Sequence, residues 1–281
     1  WNGQVRIPTV AVVAAKIKRS NSLFIDTHLH INRKEFNNES AEIIGRSISS
    51  GVTRFMNVGY DIESSKFSVD LSKKDNRFFA SVGVHPHDAL QISTTEEVLN
   101  QSNLDEIEKL ASGAVAIGEI GLDYFRDLSP RPAQRAAFSA QLKLATKLDL
   151  PVVLHIRDAY DEAIGVLEKT GLPPRRGIMH SFAGDTLVAE WAVNNGFLLG
   201  IGGPVTYKNS KLSEVVKLVG GKNIVLETDA PWLPPVPFRG KRNEPSYLVH
   251  TAVFVAQLLE MSLEELASVT TANFLDLIGA K

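Results

Sequence analysis

The chain has 281 residues, of which 44% are hydrophobic and 22% charged, enough apolar material for one large globular domain. A formal net charge of -2 argues against a nucleic-acid binder that relies on a basic surface, although not against one that holds phosphates through metal ions. The lack of cysteine excludes disulfides and thiolate zinc sites, and no apolar run is long enough to cross a membrane, so we expect no membrane association.

The first 22 residues differ in composition from the rest of the chain. They contain four basic residues, no acidic residue and an apolar patch at Val10–Ala15. We predict that residues 1–22 form an extension outside the core, either an organellar presequence or an unrelated segment. The expected location is the cytoplasm, with organellar or nuclear targeting as the alternative in a eukaryotic cell.

The run Leu23–Leu29 alternates apolar positions and carries His28, with His30 immediately after it. If this run is a strand, both imidazoles project from one face at its end, where they could bind a metal. A pair of histidines alone is more often an ordinary surface or core pair. The interpretation therefore depends on the rest of the chain.

Helix-like and strand-like segments alternate after His30. The later predicted strands are Val52–Val58, Phe78–Val84, Ala114–Gly118, Pro151–His155, Gly177–His180, Phe197–Ile201 and Ile224–Asp229. The helices predicted between strands are Glu39–Ser50, Asp61–Lys74, Thr95–Ser112, Pro132–Leu148, Asp158–Lys169, Asp185–Asn194 and Lys211–Val219. Eight such repeats predict the α/β class and a (β/α)8 TIM barrel of the metal-dependent hydrolase type. We expect residues 23–281 to form this single domain, with two further helices at its end and a capping box at Ser262–Glu265.

Polar residues follow the predicted strands where each strand ends. In chain order they are His28 and His30, Asn57, His85, Glu119, His155, His180, the Gly202–Gly203 pair and Asp229. The carboxyl ends of barrel strands meet at one mouth, where catalytic groups lie. The sequence therefore predicts that these side chains converge.

The predicted ligands are imidazoles and carboxylates without sulfur, which suits Zn, Mn, Co or Mg. Four imidazoles and two carboxylates exceed the needs of one tetrahedral ion, so we expect two ions with Glu119 as the candidate bridge. Asp229 would bind one ion and hold or deprotonate the attacking water. For individual residues simpler alternatives stay open: His155 could be a packed core histidine, and Asp229 could cap the following turn.

Six blocks of the sequence, in this order, resemble the TatD family of metal-dependent deoxyribonucleases. They are Phe24–His30, Gly83–His87, Gly118–Tyr124, Leu154–Ala159, Met179–Phe182 and Glu227–Leu233. The resemblance implies a hydrolase related to the amidohydrolases that cleaves DNA phosphodiesters, often as a 3′ to 5′ exonuclease. It spans nearly all of the chain after residue 22, and the N-terminal extension is the departure from it.

The resemblance also implies roles for individual residues. One ion would be held by His28, His30, Glu119 and Asp229, and the other by Glu119, His155 and His180. His85 would lie in the phosphate pocket, so the predicted catalytic residues are Glu119, Asp229 and His85. The expected cofactors are two divalent cations, Mg, Mn or Zn, and the expected substrate is DNA or RNA, bound by a monomer.

Phosphate binding requires donors besides the metal. Arg157 and Arg126 are candidates because guanidinium groups match phosphate oxygens, and a structural salt bridge is the alternative for each. Basic residues on later loops could follow a nucleic-acid backbone or could be ordinary solvated charges: Lys208, Arg239, Lys241 and Arg242. Three aromatic residues could stack bases, although Trp232 could instead pack at the rim: Phe125, Tyr207 and Trp232.

Two other functions use the same residues. An amidohydrolase-type enzyme would cleave an amide, a lactone or a small phosphoester on the same barrel. Many such enzymes bridge their metals with a carboxylated lysine, whereas Glu119 followed by Gly-Leu-Asp resembles the nucleases. A binding or scaffold protein would be expected to have lost a ligand, and none is missing here.

Overall fold

The computed structural model describes residues 23–36, 38–95 and 98–280. The predicted extension, residues 1–22, lies outside the described residues. Eight strands are present in the described part: β1 Phe24–Leu29, β2 Val52–Val58, β3 Phe78–Val82, β4 Ala116–Asp123, β5 Val152–Arg157, β6 Gly177–His180, β7 Leu198–Ile201 and β8 Ile224–Leu226. They belong to one sheet in the order β1 to β8.

Neighbouring strands run parallel. The pairs β3–β4, β4–β5, β5–β6 and β7–β8 all have parallel register. The two ends of the strand order are also joined, because the Asp229 amide donates to the His28 carbonyl at 2.9 Å and the His30 amide to the Ala230 carbonyl at 2.9 Å. Eight parallel strands in chain order, with the first beside the last, define a (β/α)8 TIM barrel, as predicted.

Nine α-helices connect or follow the strands within the described residues. They are α1 Ser40–Ser49, α2 Ile62–Lys74, α3 Gln101–Ala111, α4 Arg131–Leu148, α5 Tyr160–Thr170, α6 Thr186–Asn194, α7 Leu212–Val219, α8 Leu248–Leu258 and α9 Leu263–Ile278. Among the described residues no single helix is long and apolar enough to cross a membrane. One pair bent by 108°, Pro245–Leu258 with Leu263–Ile278, reaches that length and composition only when its two helices are taken together.

The chain divides into two compact units. The first contains the described residues up to Phe55 with Ser181–Val193 and Leu198–Asp276, and the second contains Met56–His180, Asn194–Phe197 and the residues from Leu277 onward. The expectation of a single domain over residues 23–281 stays a prediction.

In the first unit the core lies around β1, β8 and α8. Every residue of β1 and β8 is buried, and nearly every residue of α8 is buried as well. The predicted capping box opens α9: the Ser262 amide donates to the Glu265 carboxylate at 2.7 Å, and the Glu265 amide donates to the Ser262 hydroxyl at 3.1 Å. These bonds satisfy amides that a helix start would otherwise leave unpaired.

In the second unit the core lies around β4 and β5. All eight residues of β4 are buried. Two glycines of this strand allow β5 to approach its backbone closely, because a Cβ at Gly118 would overlap Val153 and one at Gly121 would overlap the His155 carbonyl oxygen. Gly121 also has a φ of +144°, a conformation that other residues rarely adopt. The glycines therefore place Glu119 directly beside β5.

The two largest errors in the predicted boundaries lie at the start of a helix and at the end of a strand. The helix predicted from Thr95 begins only at Gln101, because the Asn100 side chain caps it by accepting from the Asn103 amide at 3.2 Å, and Leu99 forms an antiparallel bridge with Ser93. The strand predicted to end at Gly118 continues to Asp123. The register of β4 against β5 shifts between Ile117 and Ile120. The two strands then stay paired as far as Asp123 and Arg157.

Candidate metal centre

The end of β1 and the segment after β8 bring three predicted ligands together in the first unit. His28 and His30 are buried, and their Nε2 atoms lie 3.1 Å apart. The His30 Nε2 atom lies 3.7 Å from Asp229 Oδ1. Alternation along the strand places both imidazoles on one face, as the spacing predicted. Two imidazole nitrogens and a carboxylate converging at these distances are a suitable donor set for a divalent cation.

A buried aspartate, Asp26, fixes the backbone of this region. Its carboxylate accepts from the Thr228 amide at 2.9 Å, the Thr228 hydroxyl at 2.5 Å and the His28 amide at 3.3 Å. Burial raises the pKa of Asp26 to about 8, although these hydrogen bonds oppose the shift. Sequence reasoning assigned Asp26 no role, and its position two residues before His28 was the available signal.

A second unpredicted carboxylate is Glu227, at the end of β8. It is fully buried, and its Oε1 accepts from the Ser181 amide at 2.6 Å. A Cβ at Gly200 would overlap the Glu227 carboxylate, so a glycine in β7 makes room for it. Glu227 thus orders the chain directly after His180.

The second unit gathers three predicted histidines around Glu119, which is buried on β4. Glu119 Oε1 lies 2.9 Å from His155 Nδ1, 3.6 Å from His85 Nε2 and 3.6 Å from His180 Nε2. The four residues lie on or shortly after four consecutive strands, β3 to β6, so the parallel order of the sheet brings them together.

Asp123, at the end of β4, completes this cluster and was not predicted. Its Oδ2 accepts from His155 Nε2 at 3.0 Å and from His87 Nε2 at 2.9 Å. Its Oδ1 accepts from the amides of Phe125 and Arg126 at 3.1 and 2.7 Å. Burial acts to raise the pKa of Asp123, but the hydrogen bonds from His155, His87 and Arg126 outweigh it and lower the pKa far below its ordinary value. The carboxylate is therefore charged.

Each nitrogen of the His155 ring faces a carboxylate. Asp123 and Glu119 can only accept, so without a cation both nitrogens donate, whereas a cation held between Nδ1 and Glu119 Oε1 would leave the remaining proton on Nε2, bonded to Asp123. A lone pair cannot face a carboxylate at 2.9 Å unless a proton or a cation lies between them. Burial lowers the pKa of His155, but the bonds to Asp123 and Glu119 outweigh it and raise the pKa. Proteins commonly hold a metal-ligating histidine by a carboxylate at one ring nitrogen, while the other nitrogen binds the metal. Asp123, His155 and Glu119 have this arrangement, so they fit a metal ion.

A backbone amide sets the position of the proton on His85. Distance alone would allow it to be a ligand, because donor atoms of His85, Glu119 and His155 lie within 4.8 Å of one another. However, His85 Nδ1 accepts from the His87 amide at 3.1 Å. Burial lowers the pKa of His85 well below its ordinary value, so the ring is neutral and its single proton must be on Nε2. His85 is thus arranged to donate a hydrogen bond.

The two predicted phosphate donors have no salt bridge within the described part of the chain. Among the described residues neither Arg157 nor Arg126 forms an ion pair, and both are exposed. The Arg157 guanidinium lies 3.9 Å from the ring centroid of Phe125. Both arginines are therefore available for an anion.

Three other residues named in the sequence analysis have local partners: Asn57, Arg242 and Trp232. The Asn57 amide donates to the Ser68 hydroxyl at 2.7 Å, which ties β2 to α2. Arg242 pairs with Glu39 at 2.7 Å. Trp232 packs against His30 with ring centroids 5.2 Å apart, while 39% of its surface stays exposed.

Sequence relatives of this chain are named as metal-dependent hydrolases. The TatD related DNase family matches residues 25–279. The hydrolase YabD of Bacillus subtilis is 40% identical over 252 residues, which covers 89% of this chain and 97% of that protein. The hydrolase TatD of Mycobacterium tuberculosis is 32% identical over 259 residues, covering 89% and 95%.

Solved structures agree with this family. The crystal structure of YjjV from Escherichia coli, a TatD homologue, matches with a TM-score of 0.85 at 29% identity and covers 93% of this chain and 100% of that one. A TatD family hydrolase from Entamoeba histolytica matches with a TM-score of 0.80 at 20% identity, over 91% and 98%, which shows the fold alone. The chain belongs to the TatD-related DNase family of metal-dependent hydrolases.

Proposed function

We propose that the protein is a metal-dependent nuclease that hydrolyses phosphodiester bonds of DNA as a 3′ to 5′ exonuclease. The observation that carries this proposal is the position of His155, held by Asp123 through Nε2 and facing Glu119 through Nδ1. Neutral imidazole and carboxylate donors suit the hard divalent cations that assist phosphoester hydrolysis.

We assign the ligands as the sequence predicted them. Glu119, His155 and His180 would hold one ion, and His28, His30 and Asp229 would hold the other with Glu119 as the shared ligand. Mg, Mn or Zn ions bound there would supply the positive charge that activates water and neutralises the phosphate.

The chain's own groups would then act on the water and the phosphate. Asp229 would accept the proton of the attacking water at its carboxylate. His85 would donate its Nε2 proton in a hydrogen bond to a phosphate oxygen, which agrees with its neutral state and its Nδ1 acceptor bond. Arg157 and Arg126 would bind the flanking phosphate oxygens, because their guanidinium groups are exposed and without ion pairs among the described residues.

The test uses metal-stripped protein and single-stranded DNA labelled at either end, with Mg, Mn or Zn added back. We expect metal-dependent release of mononucleotides from the 3′ end. Glu119→Gln should lower the rate at least about a hundredfold, because it removes the shared ligand. Glu190→Gln, an exposed position in α6, is the matched control and should keep wild-type activity.

A protein that binds two ions per chain but cleaves no DNA with any of these metals would contradict the proposal. Amide, lactone and small phosphoester substrates would then be tested with the same Glu119→Gln control. Cleavage that proceeds inward from the 5′ end would contradict only the polarity.

A further inference from the structure

An exposed aromatic ring stands beside the candidate metal centre. Phe125 follows β4 directly, and 57% of its surface is exposed. One face of the ring carries the Arg157 guanidinium at 3.9 Å from the ring centroid. We call Phe125 and Arg157 the stacking pair. The ring is therefore covered by a cation on one face and largely open to solvent elsewhere.

The stacking pair is held rigidly relative to the cluster. The Phe125 amide donates to Asp123 Oδ1 at 3.1 Å, and Asp123 is the residue that orients His155. Arg157 lies two residues after His155, and its carbonyl accepts from the Tyr124 amide at 2.9 Å. Asp123 and Arg157 are also register partners in β4 and β5. The Asp123 carboxylate thus bonds both the imidazole of His155 and the backbone of Phe125.

The charge around the ring favours an anionic ligand with a flat face. Arg157 and Arg126 are both exposed, and among the described residues neither pairs with a carboxylate. The acidic residue of the same loop, Asp127, is engaged by Arg131 at 3.1 Å. A nucleotide has both required parts, since its base can stack on an aromatic ring while its phosphate binds guanidinium groups.

We propose that the free face of Phe125 binds an unpaired nucleobase of the nucleotide next to the scissile phosphodiester, while Arg157 and Arg126 bind its phosphates. This inference rests on the proposed nuclease function and adds the side chain that would receive the base of the substrate. A base in a duplex is held by its pair and stacked on its neighbours, so an unpaired base is the one that can turn its face onto the ring.

The experiment compares steady-state kinetics of the metal-loaded enzyme on single-stranded DNA for the wild type, Phe125→Ala and Phe125→Trp. We expect Phe125→Ala to raise KM about 5- to 100-fold with kcat within about twofold, and Phe125→Trp to keep the wild-type KM. Leu128→Ala is the control, because Leu128 lies in the same loop and is 63% exposed. It should leave both constants unchanged.

A second arm removes the base instead of the ring. An abasic residue is placed in turn at each of the last few nucleotides of the strand. At one of these positions the abasic residue should raise the KM of the wild type by the same factor by which Phe125→Ala raises KM on normal DNA. The KM of Phe125→Ala should not rise further on that abasic DNA. This non-additivity is expected only if the ring and that base contact each other.

Any of three results would overturn the inference. Phe125→Ala could have the same KM as Leu128→Ala, or the abasic residue could raise KM equally in the wild type and in Phe125→Ala. The third is that blunt duplex and single-stranded DNA are cleaved at equal rates. If the wild type cleaves no DNA, the proposed function fails separately. In that case binding of a phosphorothioate-linked single strand is measured by fluorescence anisotropy. Binding that Phe125→Ala weakens at least fivefold would support the stacking pair, and binding that it does not weaken, or no binding, would overturn it.

Discussion

Two histidines that lie largely inside the protein, His155 at the end of β5 and His250 in α8, have pKa values shifted in opposite directions. His155 lies between two carboxylates, and its hydrogen bonds to Asp123 and Glu119 overcome burial and raise the pKa. His250 packs edge-on against Phe238 with ring centroids 4.9 Å apart, and burial lowers its pKa to about 4. Among the described residues its Nδ1 has no hydrogen-bond partner.

The comparison shows that burial alone does not make a histidine a candidate ligand. His250 is a core side chain, in agreement with its position within a helical pattern of the sequence and away from any strand end. His155 differs because both of its ring nitrogens face carboxylates, Glu119 and Asp123, which stabilise positive charge at this position. Three predictions follow from this difference and concern the backbone, the charge and the metal in turn.

The largest effect is expected from the backbone that supports His155. Gly121→Ala places a Cβ against the His155 carbonyl oxygen at a φ of +144°, so we expect a loss of at least about 4 kcal/mol in the free energy of unfolding. Gly165→Ala is the control, because nothing lies within 4 Å of the added Cβ in α5, and it should stabilise by about 0.5–1 kcal/mol. Urea unfolding measures both, and equal stability of the two variants would show that β5 can move away from β4.

The next effect concerns the charge of His250. Its folded pKa of about 4 lies below the ordinary value of 6.5, so the unfolded chain binds more protons between these pH values. The contribution of His250 to the free energy of unfolding is therefore fully present above pH 6.5. It is lost as the pH decreases towards 4, by up to about 3 kcal/mol. His250→Leu should lack this part of the loss, as measured by urea unfolding at pH 7 and pH 4.5 with a chelator present. Identical losses in both proteins would show that His250 is not buried as a neutral ring.

The smallest effect concerns metal affinity. Asp123→Asn removes the carboxylate that keeps the His155 proton on Nε2, so the affinity for Zn or Mn should fall about 10- to 100-fold in calorimetric titration. His250→Leu should bind metal with wild-type affinity. An Asp123→Asn protein with unchanged affinity would mean that His155 does not depend on Asp123 to act as a ligand.

Much of the fold could be read from the chain because its signals are local. Each buried strand is a short apolar run, and most of these runs end at or beside a polar residue that a TIM barrel places at one mouth. The positions of Glu119 and His155 after neighbouring strands followed from this rule. The start of α3 could not be read in this way. The helical pattern of the sequence extends back to Thr95, whereas the Asn100 cap and the Ser93–Leu99 bridge make the helix begin later, at Gln101.

The sequence by itself determined the strand order, the class of donors and the membership of the TatD-related DNase family, since these depend on residue type and spacing along the chain. Only the tertiary structure decided which atoms meet. It joined Asp123 to both His155 and His87, left the proton of His85 on Nε2, and placed Arg157 on Phe125 instead of on a carboxylate. Hydrogen-bond partners and proton positions depend on distances between residues far apart in the chain, and no pattern of spacing specifies those distances.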